Sequence, residues 1–95
     1  MDINKLMAQA NKMKAEMEKR KKEFEQKLFT YEKQGVKLVI NGALQIKSLD
    51  INEVLIDPED KETLQDMITI TINEATEEIQ AQKEQIGDSI AKGML

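Results

Sequence analysis

Apolar residues recur at steps of three and four from Ile3 to Leu28, at Ile3, Leu6, Met7, Ala10, Met13, Met17, Phe24 and Leu28, with polar and charged residues between them. That spacing gathers the apolar side chains on one face and predicts an amphipathic α-helix. At 1.5 Å per residue such a helix is roughly 40 Å long, more than a small sheet can cover, so part of it should meet another surface. The stripe follows a heptad seam until Arg20 interrupts it. Packing on a sheet and on a partner helix is therefore expected rather than a sustained coiled coil.

The pattern then changes period. Phe29-Thr30-Tyr31-Glu32-Lys33-Gln34 alternates apolar and polar residues before Gly35 and predicts a first strand. Residues 36–40 and 44–51 flank Asn41-Gly42. This dipeptide predicts a β-hairpin closed by a type I′ turn, whose two central residues need positive φ. Asp57-Pro58-Glu59-Asp60 reads as the start of a second helix, with Asp57 as N-cap and Pro58 in the first helical position. Leu64, Met67, Ile68, Ile72, Ala75 and Ile79, then Ile86 and Ile90, continue at helical spacing. Within them Ile68-Thr69-Ile70-Thr71-Ile72 alternates like a strand, but the start signals and periodic flanks favour helix over five residues of β propensity. Gly87 is expected to weaken this helix, and Gly93-Met94-Leu95 to fray. The predicted class is α+β: a long N-terminal helix, a three-stranded antiparallel sheet and a long C-terminal helix.

Ninety-five residues predict one domain spanning 1–95. A chain this short buries only about 60 to 65% of the surface its unfolded form exposes, so it is marginal alone. Two long apolar stripes and a small sheet leave more apolar face than one subunit covers, which predicts a homodimer. The absence of Cys and His removes disulfides, thiolate nucleophiles, the usual zinc sites and imidazole acid-base chemistry. An enzyme, a cofactor, a metal and a small-molecule substrate are all unexpected. With no apolar run long enough for a signal peptide or a membrane span, a cytoplasmic protein without membrane contact is the expectation.

The net charge of -4 hides an asymmetry: ten basic and six acidic groups in residues 1–37, four and twelve in residues 38–95. The basic end contains the run Lys19-Arg20-Lys21-Lys22, with Lys5, Lys12, Lys14 and Lys27 around it. On a helical wheel Lys5, Lys12 and Lys19 share an outward line that could track phosphates, but Glu16 and Glu23 lie close to it. Glu16 with Arg20, Glu18 with Lys22, and Glu23 with Lys27 have the spacing and orientation of stabilising i,i+4 pairs. A solvated, self-stabilising face and a phosphate-binding face both fit these residues. Three aromatic residues, Phe24, Phe29 and Tyr31, do not make a base-stacking platform. Without helix-turn-helix or zinc-finger spacing, any DNA binding should lean on phosphates and shape rather than base edges. Met7, Met13, Met17 and Met67 read as adaptable packing. The acids Asp57, Glu59, Asp60, Glu62 and Asp66 read as helix-start residues, lacking EF-hand spacing.

In order, the basic Met-rich helix, Val36-Lys37-Leu38-Val39-Ile40-Asn41-Gly42, Leu49-Asp50-Ile51, the segment from Asp60 to Ile68 and Asn73-Glu74-Ala75 resemble the YbaB/EbfC family of bacterial nucleoid-associated proteins. The resemblance covers nearly the whole chain, although Lys33-Gln34-Gly35 is more compact than the family's frequent Gly-rich loop. It implies a homodimer whose sheets associate and whose helices project as arms, with duplex DNA as partner and the nucleoid as location. Bending or bridging of DNA, with effects on nucleoid organisation or gene expression, is the accompanying expectation. Charge and projection select Lys12, Lys19, Arg20, Lys21, Lys22 and Lys27 as candidate DNA-binding residues. The competing reading is a dimeric helical scaffold or client-holding protein without nucleic-acid binding.

Overall fold

The computed structural model describes residues 2–93, with side chains as far as residue 88. The elements are α1 (Ile3–Gln26), β1 (Leu28–Lys33), β2 (Val36–Asn41), β3 (Ile46–Ile51), a 3₁₀ turn (Glu53–Leu55) and α2 (Lys61–Gly93). The strands form an antiparallel sheet in the order β1-β2-β3, so the predicted α+β arrangement is observed. The Asp2 carboxylate caps α1 by accepting from the Asn4 amide at 3.0 Å. Lys27 leaves the helix in an extended conformation and turns the chain into β1.

The two hairpins differ from the expected turn chemistry. Gln34 and Gly35, with φ of 45° and 93°, form the two-residue loop between the paired residues Lys33 and Val36. The loop with two positive φ angles is therefore here, not at Asn41-Gly42. Between β2 and β3 the positive φ falls on Leu44, at 64°. The Leu44 amide donates to the Asn41 carbonyl and the Asn41 amide to the Gln45 carbonyl, each at 3.0 Å. This is a three-residue loop with a left-handed last position, a form that leaves a bulge in the ladder. The register shift lies between Val39 and Ile40, and β3 begins at Ile46 rather than Leu44. Asn41 closes the loop through its side chain, whose Oδ1 accepts from the amides of Ala43 and Gln45.

Gly42 serves the tertiary structure. A Cβ at this position would stand 2.0 Å from the Phe24 carbonyl oxygen, while the Gly42 amide donates to the Lys27 carbonyl at 3.1 Å. Only a residue without a side chain allows the end of α1 to lie this close to the hairpin.

The helix start also shifts. Asp57 accepts from the Glu59 amide and its carbonyl from the Asp60 amide, forming a turn. Asp60 is the residue bonded to the first helical turn, through Thr63. The mixed segment 68–72 is helical as expected. The Thr69 and Thr71 hydroxyls donate to carbonyls four residues earlier, satisfying these polar groups within the helix. Gly87 lies inside the helix, which continues to Gly93. The side chain of Ile90, Met94 and Leu95 lie outside the described residues.

One face of β2 supplies Val36, Leu38 and Ile40, all almost fully buried. Leu38 and Ile40 pack with Phe24 from α1 and with Ala75 and Ile79 from α2, flanked by Phe29, Tyr31, Leu44, Ile72 and Ile86. The Phe24 and Phe29 rings meet at 5.5 Å, tilted by 54°. Among the described residues two ion pairs tie α2 to its neighbours: Lys33 to Glu74 at 2.6 Å and Lys83 to Glu25 at 3.3 Å. Burial, followed by the charge of Glu78 and its hydrogen bond, raises the Tyr31 pKa above the usual phenolic value. The molecule is elongated, 71 × 19 × 13 Å. No helix among the described residues is long and apolar enough to cross a membrane.

Candidate nucleic-acid interface

Helical geometry distributes the candidate basic residues around α1, and packing against α2 decides which remain outward. From Ile3 to Gln26 the helix carries seven basic and four acidic residues, whereas α2 carries three and seven. The sequence asymmetry thus becomes a contrast between two adjacent helices. Phe24 fixes the inward direction of α1 by burying its ring against Ile79 and Ala75.

Lys12, Lys19 and Lys22 project away from that stripe and are exposed. They form no ion pair among the described residues. Lys19 and Lys22 border one shallow surface with Ala15, Glu18, Glu23 and Gln26. The acids reduce its positive potential without pairing with the two lysines. Lys12 lies nearly two turns nearer the N-terminus, so these three cations follow the long axis of the arm.

Arg20, Lys21 and Lys27 are placed differently. Arg20 donates to Glu16 at 3.0 Å with both side chains half exposed, the one expected i,i+4 pair of three that forms. Lys21 is half-buried and lines the open cleft between α1 and α2 with Gln80, Lys83, Glu84, Gly87 and Asp88. There it faces the acidic helix. Lys27 has left α1, and its Nζ stands 5.4 Å from the Phe29 ring centroid, within cation–π distance. That departure separates it from Glu23, while Glu18 and Lys22 remain beyond ion-pair distance.

Sequence periodicity did not identify a second surface feature. Ile46 and Leu49 lie on the same sheet face as buried Ile40 and Leu38, but they remain 48% and 39% exposed because α2 does not cover β3. Ile56 and Ile70 are also exposed. The available signal was the apolar character of the last strand, which its position in the sheet turns into an uncovered edge. No group of three or more acidic side chains that could hold a metal occurs among the described residues.

Residues 1–94 match the model of the YbaB/EbfC DNA-binding family. The chain is 45% identical over 95 residues to a nucleoid-associated protein of Mycoplasmopsis pulmonis, covering 100% of this chain and 95% of the relative. It is 42% identical over 88 residues to a nucleoid-associated protein of Metamycoplasma arthritidis, covering 93% of each. Its fold is similar to the crystal structure of a Helicobacter pylori protein, with a TM-score of 0.80 at 20% identity, covering 96% of this chain and 98% of that one.

Proposed function

Because the chain belongs to the YbaB/EbfC DNA-binding family, we propose that it is a nucleoid-associated protein whose homodimer presents α1 arms to duplex phosphates. The observation that carries the contact assignment is the exposed line Lys12, Lys19 and Lys22, clear of ion pairs among the described residues. Arg20 and Lys27 lie at its margins, and Lys21 contributes to the surrounding positive field. The 1–95 chain acts as one domain, without a catalytic role, in the cytoplasmic nucleoid. Two such arms on one duplex bend it, and arms on separate duplexes bridge them.

Support for a homodimer comes from β3. An edge strand with unpaired backbone groups and apolar side chains is a template for association unless covered. Ile46 and Leu49 give this edge an apolar face suited to a second sheet. The acidic remainder of the chain limits affinity and leaves binding strongly dependent on salt.

The test is duplex-DNA binding across a salt series, by anisotropy, for the native chain and for a variant carrying Lys12→Glu, Lys19→Glu and Lys22→Glu. The slope of log affinity against log salt should become shallower by about 0.9 for each phosphate that the variant no longer neutralises. An unchanged slope would remove these residues from the interface. Failure of the native chain to bind at about 50 mM salt, together with suppression of client aggregation, would favour the scaffold reading.

A further inference from the structure

Asn41 is the one asparagine of five that precedes a glycine, so its carboxamide stands next to the least hindered main-chain nitrogen a protein offers. In an open chain that nitrogen attacks the side-chain carbonyl carbon, Cγ, and closes a succinimide ring. The bond between Gly42 N and Cγ forms, the bond between Cγ and Nδ2 breaks, and Nδ2 leaves as ammonia with the proton that Gly42 N gives up. Water then opens the ring. Attack at Cγ leaves aspartate, whereas attack at the main-chain carbonyl carbon leaves isoaspartate, whose backbone runs through Cβ and Cγ and is longer by one carbon. The fold restrains each group this reaction uses. The Gly42 amide donates to the Lys27 carbonyl at 3.1 Å, so the nucleophile keeps its proton, and Gly42 is buried against the main chain of Phe24. Asn41 is 6% exposed, its Oδ1 accepts from the amides of Ala43 and Gln45, and its Nδ2 donates to Gln45 Oε1 at 3.1 Å.

We propose that Asn41-Gly42 is a self-modification site guarded by the docked end of α1, and that opening of the joint at Phe24 and Lys27 releases the Gly42 nitrogen for deamidation of Asn41. The guard is tertiary, because the groups that cover the nucleophile belong to the end of α1 and not to the hairpin. The product does not refit. Either acid loses the Nδ2 donor and sets a carboxylate oxygen against Gln45 Oε1 where Asn41 was buried. Isoaspartate also adds a backbone carbon to a loop that has no room for a methyl group at Gly42. A transient opening of the joint thus becomes a permanent one.

Residues 38–47 form a tryptic peptide with Asn41 as its one asparagine, so mass spectrometry reads the conversion directly. In mildly alkaline buffer the native chain should convert about 100-fold more slowly than the same chain in guanidinium chloride, because attack waits for local opening. Phe24→Leu loosens the joint and should convert about ten-fold faster than the native chain. Val36→Ala weakens the far end of β2 instead and should stay within about two-fold of the native rate. Circular dichroism checks that both variants are folded. If either is not, hydrogen exchange at the Gly42 amide of the native chain decides, because it needs the same release from Lys27 and should be slowed to within about ten-fold of the slowing of deamidation. Native conversion as fast as in denaturant, a folded Phe24→Leu no faster than native, equal acceleration by the two variants, or a freely exchanging Gly42 amide would overturn the proposal.

Discussion

Gly42 is constrained by the carbonyl oxygen of Phe24 rather than by its own backbone angles. A methyl group there would require separation of the hairpin from the end of α1, because the atom it meets belongs to the main chain. Gly42→Ala should therefore lower stability by about 2 kcal/mol or more, measured by urea unfolding. A loss below about 0.5 kcal/mol would show that the two segments separate readily. The glycine was legible in the sequence, but its purpose was not. Asn-Gly carries a strong local turn signal, whereas the approach of Phe24 exists only after residues 24 and 42 have been brought together. Gln34 shows the converse, adopting positive φ because the hairpin register requires it despite the lack of a local signal.

Among the elements, α2 is the longest and contains the clearest conflict between propensity and context. Its segment 68–72 consists of β-branched residues throughout, yet Thr69 and Thr71 are satisfied by carbonyls within the helix and Ile72 packs beside the core. The long periodic flanks made this result legible. Helix starts were less so: Asp57 and Asp60 are both acids with capping character, and the backbone path between them decides which one opens the helix. Gly87 offers a test of the remaining weak point in α2. An added Cβ meets nothing within 4 Å, so Gly87→Ala should stabilise the chain by about 0.5 to 1 kcal/mol, raising its thermal midpoint. A lowered midpoint would indicate that another copy approaches the helix at this glycine.

For the whole molecule, an elongated shape and an apolar sheet edge leave association as the natural source of further burial. Leu49→Asp should make the thermal midpoint lower and less dependent on protein concentration, because the residue is largely outside the core of one chain. An unchanged concentration dependence would move the interface away from β3. The basic character of α1 was legible from composition, but the orientation of its charges required the fold. Lys21 turns toward α2, Lys27 leaves the helix for the Phe29 ring, and Lys12, Lys19 and Lys22 remain outward. The hydrogen bond from the Gly42 amide to the Lys27 carbonyl also has a long mechanical reach. With α1 acting as a lever of about 36 Å, a 5° change at that joint displaces its tip by about 3 Å, close to the rise of one DNA base pair. On the proposed DNA-binding reading, small adjustments at the hairpin would change which phosphate a distal lysine meets.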